Sequence, residues 1–184
     1  YNVLVVDGRN ILKYTDAGVF VRSVSSLASG ATTRPVFSNV ASDINGNTFV
    51  AGNFSGTVRF DSVTSFTVVR NMGEPAKQAV FLAKYDSTGK LLWARKGGGV
   101  DGSDEVRDVL VDDYGNAYLT GYFFGSAPFG SQTLVASGTS DGFLVKYGPE
   151  GNEIWARKIS ETNGSIGQSL SMDDVGNLFL YGNG

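Results

Sequence analysis

The sequence contains no cysteine and no histidine, and each absence closes off a class of chemistry. Without cysteine there is no disulfide, no thiol nucleophile and no thiolate metal site. Without histidine, Ser-His-Asp and Cys-His catalysis are excluded, as are His-ligated zinc and the usual general base near neutral pH. Any chemistry would have to rest on carboxylates, Lys, Tyr or a cofactor. Basic charge is not in excess either: 15 Lys and Arg against 18 Asp and Glu leave a net charge of −3. A nucleic-acid surface needs a basic stripe, so no nucleic-acid partner is expected. No apolar run approaches the roughly 20 residues that span a bilayer. The chain does not open on a charged segment followed by an apolar one, as a secretory leader would. Proline is scarce, at 4 residues.

What is present suits one β-rich domain. Hydrophobic residues make up 41% of the 184, enough to fill a core, and 25 glycines fit many short strands joined by tight turns. One stretch occurs three times, as Asp43 to Gly52, Asp112 to Gly121 and Asp173 to Gly182. All three fit D-x-x-G-N-x-[F/Y]-[V/L]-x-G. A second element, Phe81-Leu82-Ala83-Lys84-Tyr85 through Trp93-Ala94-Arg95-Lys96, matches Phe143-Leu144-Val145-Lys146-Tyr147 through Trp155-Ala156-Arg157-Lys158. Ile11 to Gly18 is a weaker copy without the Trp. Each copy reads as strand, tight turn, strand.

The period is about 65 residues and carries four strand signals, which is the pattern of a β-propeller blade. In the second period these are Val106–Val111, Ala117–Tyr122, Phe143–Tyr147 and Ile154–Lys158. A variable segment separates the second signal from the third, at Asn53–Ala79 and again at Phe123–Asp141. Val58 to Phe60 and Phe66 to Val69 suggest a short extra hairpin in the first of these. Near the start, Tyr1–Asp7, Arg9–Tyr14 and Val19–Val24 read as strands and Ser25–Arg34 as a loop. No sustained helical periodicity occurs. The expectation is an all-β fold of four-stranded antiparallel propeller blades: a partial blade at 1–34, blades at 35–100 and 101–164, and a partial blade at 165–184. A ring closes with four to eight blades, and seven of this period need roughly 455 residues. A piece of a longer protein is therefore expected, with assembly of several copies as the other route to a ring.

At these residues the chain resembles the bacterial seven-bladed β-propeller repeat family, SBBP. The resemblance rests on Gly121-Tyr122-Phe123-Phe124-Gly125 with Phe129-Gly130, on Asp141 to Tyr147, and on Gly151 and Trp155-Ala156. Gly52 to Gly56 with Phe60, and Phe81 to Ala94, repeat it. It covers about Val36 to Gly182 and, more weakly, Asp7 to Gly18. It implies part of a large secreted or surface protein of a bacterium. The family has no general catalytic signature to carry over.

The residues that could carry chemistry each have a plainer role. Asp43 with Asn45, and Asp112 with Asp113, offer oxygen ligands to a hard cation, but no downstream acid completes a site. The expected role is turn capping by Asp, with Gly-Asn supplying positive φ. Trp93 and Trp155 recur, as do Lys13, Lys84 and Lys146, and Tyr14, Tyr85 and Tyr147. Repetition in each unit points to packing, with Trp between blades and Lys on a solvated side. Asp101, Asp104, Glu105 and Asp108 form an acidic run beside Gly97-Gly98-Gly99, expected to be a solvated, flexible connection. No phosphate loop is expected, because neither a helix start nor Lys-Ser/Thr follows those glycines. No catalytic, cofactor-binding or metal-binding residue is assigned.

The leading expectation is a non-enzymatic extracellular scaffold or binding module. Its partner would be another protein, the rest of a larger chain or a glycan, recognised through the variable segments. The alternative is a polysaccharide lyase or hydrolase, with acids and Tyr or Lys unique to single blades converging on the axis. Inner strands starting with only Gly, Ser and Val would dismiss that alternative.

Overall fold

The computed structural model describes residues 2–7, 10–15, 17–25, 36–69, 77–99, 101–159 and 164–183. Among the described residues the fold is all-β, with no helix, and its sheets are antiparallel. Strands β1 (Asn2–Asp7), β2 (Asn10–Thr15) and β3 (Phe20–Ser25) form one three-stranded sheet. The loop expected at Ser25–Arg34 lies almost wholly outside the described residues.

The first complete unit begins with β4 (Val36–Ser42) and β5 (Thr48–Phe54). A separate hairpin follows, of β6 (Gly56–Arg59) and β7 (Ser65–Val68), as the Val58 and Phe66 signals suggest. The unit is completed by β8 (Ala79–Tyr85) and β9 (Leu91–Gly98), in sheet order β4-β5-β8-β9. The second unit is β10 (Glu105–Val111), β11 (Ala117–Phe129), β12 (Gln132–Tyr147) and β13 (Glu153–Lys158), each paired with the next. Finally β14 (Ile166–Met172) pairs with β15 (Leu178–Asn183), repeating the first two strands of a unit. These are blade-like units of four antiparallel strands, as the repeat predicts.

The variable segments differ in kind. In the second unit the segment forms no independent hairpin: β11 and β12 simply run on together past a register shift at Phe124/Ser126. Gly125 and Gly130, at φ +56° and +58°, make the bend and the turn there. The tip reaches the first unit, where Phe129 pairs with Gly97 and joins both units into one hydrogen-bonded sheet.

Burial explains why the middle strands read as nearly continuous apolar runs. Every residue of β5 and of β8 is buried, because both faces of the first unit are covered. Phe49, Ala51, Val80 and Leu82 face a core shared with the second unit. Their neighbours Val50, Phe81 and Ala83 point the other way, into a core with Phe54, Val58, Phe60 and Val68. That alternation is the two-residue period of a strand. Trp93 packs between the units, as its recurrence predicts: its ring meets Phe49 edge-on and its Nε1 donates to Pro149 O of the second unit.

Lys84 departs from expectation. It is buried rather than solvated, with Nζ 3.7 Å from Asp43 Oδ2 and 4.9 Å above the Phe49 ring. Lys13 is buried too, whereas Lys146 is half-buried. A cation fits inside because a carboxylate, a carbonyl and an aromatic face replace its water.

Candidate binding surface on the inner strands

The repeated motif builds the same local frame three times. Asp43 Oδ1 accepts the N–H groups of Asn45 and Asn47, while Oδ2 accepts Asn47 Nδ2. Asp112 holds Tyr114 and Asn116 in the same way, and Asp173 holds Val175 and Asn177. The glycines Gly46, Gly115 and Gly176 have φ of +76°, +78° and +88°. No other residue type among those described has positive φ, so the motif's Asn does not share that task. Its amide instead returns to the Asp. The Asp43 and Asp112 oxygens offered above as cation ligands thus already bind turn donors. No group of three or more acidic side chains suited to a metal occurs among the described residues.

The motif's last glycine has a role the sequence does not disclose. Strands β4, β10 and β14 each slip register, between Phe37 and Asn39, Val106 and Asp108, and Gly167 and Ser169. The slip presses a carbonyl toward the next strand. A Cβ on Gly52, Gly121 or Gly182 would lie 2.2 Å from Val36 O, 1.9 Å from Glu105 O and 2.4 Å from Ile166 O respectively. Only glycine accepts that approach.

The slips align Asn39, Asp108 and Ser169 on adjacent inner strands. Asn39 Nδ2 donates to Asp108 Oδ1 (3.0 Å) and to Arg107 O (2.8 Å). Ser169 Oγ and Leu170 N donate to Asp108 Oδ2 at 3.1 and 2.8 Å. One carboxylate therefore ties three consecutive units together. Its charge is useful because hydrogen bonds to an ionised acceptor are stronger than neutral ones.

Beside it stands a cluster that, among the described residues, occurs only in the second unit. Arg107 Nη1 lies 3.2 Å from Glu105 Oε1, and Tyr122 Oη donates to Glu105 Oε2 at 2.6 Å. The guanidinium also sits 5.4 Å above the Tyr122 ring. Burial, then the bond to Glu105, push the Tyr122 hydroxyl above its ordinary pKa, so it stays a protonated donor at neutral pH. The cluster remains open to solvent, with the Arg107 and Glu105 side chains 39% and 31% exposed. An exposed planar cation backed by an aromatic ring suits a carboxylate or backbone carbonyl of a partner. The inner strands therefore start with more than Gly, Ser and Val, and the criterion for dismissing an enzyme is not met.

The acidic run is no solvated loop. Asp104 is fully buried, accepting Gly99 N at 2.7 Å and Phe124 N at 3.0 Å. Burial raises its pKa to about 6, against those two hydrogen bonds. Asp101 accepts Ser126 N. The glycines beside the run are fixed by contact: a Cβ on Gly98 would fall 1.9 Å from Asp104 Oδ2. The charges were visible in sequence, but two of the partners, Phe124 and Ser126, lie in a strand extension that periodicity cannot place.

No protein-family model matches the chain. A WD-repeat-containing protein of Acanthamoeba polyphaga mimivirus, itself uncharacterised, is 25% identical over 128 residues. That alignment covers 56% of this chain and 9% of the viral protein's length. A crystal structure of a protein of unknown function from Bacteroides caccae aligns at 15% identity with a TM-score of 0.35, over 97% of this chain and 64% of that one. The distant WD-repeat relative agrees with a propeller-like repeat, although Trp93 and Trp155 precede Ala rather than Asp.

Proposed function

We propose that the chain is a non-catalytic protein-interaction scaffold of the propeller type, with its partner bound at Glu105, Arg107 and Tyr122. One observation carries this reading. Among the described residues the cluster occurs once, on the first two strands of the second unit, whereas the Asp-capped turn and the glycine opposite the slipped inner strand recur from unit to unit. The equivalent positions are Val36, Ser38 and Asn53 in the first unit and Ile166, Gln168 and Asn183 in the last pair of strands. The WD-repeat relative supports an interaction role. Membership of the SBBP repeat family, and a place in a secreted or surface protein of a bacterium, belong to this proposal on the residues quoted above.

Deleting the variable segments is a poor test, because Phe54, Val58, Phe60, Phe123 and Phe129 from them are core residues. Surface substitutions are cleaner. Immobilised wild-type and Arg107→Ala chains are compared by quantitative mass spectrometry of what each retains. The proposal expects a protein retained by wild type and lost with Arg107→Ala, while a Val63→Ala control still retains it. Equal retention by both variants, or recovery of a glycan with no protein, overturns it.

A further inference from the structure

Between the first and second units a β-hairpin turn sits in a seat. The turn is Gly148–Asn152, joining β12 to β13, and it presents its backbone carbonyls. Trp93 Nε1 and Lys84 Nζ both donate to Pro149 O, at 2.9 and 3.2 Å. Arg95 donates through Nε to Gly151 O at 2.6 Å and through Nη2 to Glu150 O at 3.1 Å. Gly151 lies under the indole, where a Cβ would come within 2.7 Å of Trp93. Pro149 rests against Gly115 of the turn motif, 3.8 Å from where that glycine's Cβ would be.

Between the second unit and β14–β15 the same parts are present. A cavity of about 610 Å³ is lined by Asp112, Asn116, Tyr118, Lys146, Met172 and Gly176. By repeat position Asp112 stands for Asp43, Tyr118 for Phe49, Lys146 for Lys84, Trp155 for Trp93 and Gly176 for Gly115. The donors hold matching poses. Lys146 lies 5.0 Å above the Tyr118 ring, as Lys84 lies 4.9 Å above Phe49. Arg157 Nη1 donates to Ala156 O at 2.8 Å, as Arg95 Nη1 does to Ala94 O. Trp155 is half-buried beside Tyr118. Among the described residues, Trp155 Nε1 and Lys146 Nζ have no hydrogen-bond acceptor.

We infer that this cavity, lined by Lys146 and Tyr118, is a docking seat for a β-hairpin turn of the same repeat type, read through its backbone carbonyls by Lys146 and by Trp155 and Arg157, which the repeat sets at the places of Trp93 and Arg95. The occupied seat gives the specificity. The turn must present two or three outward carbonyls, and it must carry glycine where Gly151 stands, because a side chain there strikes the indole. The fitting partner is the third-to-fourth-strand hairpin of a repeat unit placed beside β15. Preorganised donors make such a site selective, since an occupant without the carbonyls leaves them unpaired.

The test uses the full chain labelled with ¹⁵N and a cyclised peptide bearing residues 146–154. Trp155→Phe assigns the two indole N–H signals. The inference expects the Trp155 indole proton to move downfield and saturate, while the Trp93 signal, already bonded, stays. A peptide with Gly151→Val is expected to leave both signals in place. No movement of the Trp155 signal, or equal movement with the Gly151→Val peptide, overturns the inference. Arg107→Ala is expected not to affect peptide docking, so this result and the scaffold proposal fail separately.

Discussion

The two complete units share a skeleton and differ in what they attach to it. Each has the Asp-capped turn, the Lys-Tyr strand, the Trp strand and a slipped inner strand opposed by glycine. They part at two places. The first carries its variable segment as a separate hairpin, whereas the second lengthens β11 and β12 until they touch its neighbour. The first has Val36, Ser38 and Asn39 on its inner strand, whereas the second has Glu105, Arg107 and Asp108. Repetition therefore marks what holds a blade together, and its interruption marks what joins blades or meets a partner.

The largest predicted effect tests whether the extension of the second unit is structural. Phe129 is fully buried, 4.9 Å from Phe143, and its ring fills the space a side chain on Gly97 would need. Phe129→Ala is expected to cost about 4 kcal/mol in urea unfolding, in the range for deleting a core aromatic. Val135→Ala, on the same extension but 65% exposed, should stay within about 0.5 kcal/mol. If the two variants unfold alike, the extension is decoration and the comparison drawn above is wrong.

A second prediction concerns Asp104, which has no counterpart in the first unit because Pro35 precedes the inner strand there. Its folded pKa of about 6 lies above the unfolded value near 3.9. The folded state therefore holds the proton more tightly, and this contribution to stability is full below the unfolded value. It is lost as pH rises to about 6, at most about 3 kcal/mol for a shift of this size. Asp104→Asn removes the titration. The stability of wild type minus that of Asp104→Asn should fall between pH 4 and pH 6.5 and be flat above. A constant difference across that range would show that burial does not hold the proton on Asp104.

Much of the blade was legible because its causes are local. Asp three residues before Gly-Asn is a turn whatever surrounds it, and the strands beside it alternate or run apolar according to burial. The period assembled those pieces into units without any long-range knowledge. The rest depends on residues far apart in sequence. Nothing near Asp108 announces that Asn39 and Ser169 will meet it, and nothing near Asp104 announces Phe124 N. Lysine side chains ordinarily face solvent, yet Asp43 and Pro149, 41 residues before Lys84 and 65 after, enclose its amine. Recurrence of the Lys in every copy was the available hint, since solvated positions seldom need one residue type. For Arg107 the hint was the opposite, a side chain with no equivalent in the other units.

The smallest effect comes from the equivalent lysines. Lys84 donates to Pro149 O, faces Asp43 and covers Phe49, whereas Lys146 covers Tyr118 beside an open cavity. Lys84→Met keeps the aliphatic stem but removes the cation from a buried site. Asp43 keeps its three turn donors, so the cost should fall below that of stripping a wholly unsupported pair, at about 2 kcal/mol. Lys146→Met loses a half-exposed cation over a ring, worth about 0.5 kcal/mol. The Lys84 effect should also resist added salt, because its partners are shielded from counterions. Measured side by side, the gap between the two variants gives what the seated Pro149 turn and the Asp43 carboxylate contribute together. Equal losses would mean that the turn merely fills space. A gap that closes when the hairpin peptide saturates the Trp155 seat, with Lys146→Met then costing as much as Lys84→Met, would show that both seats work by the same contacts.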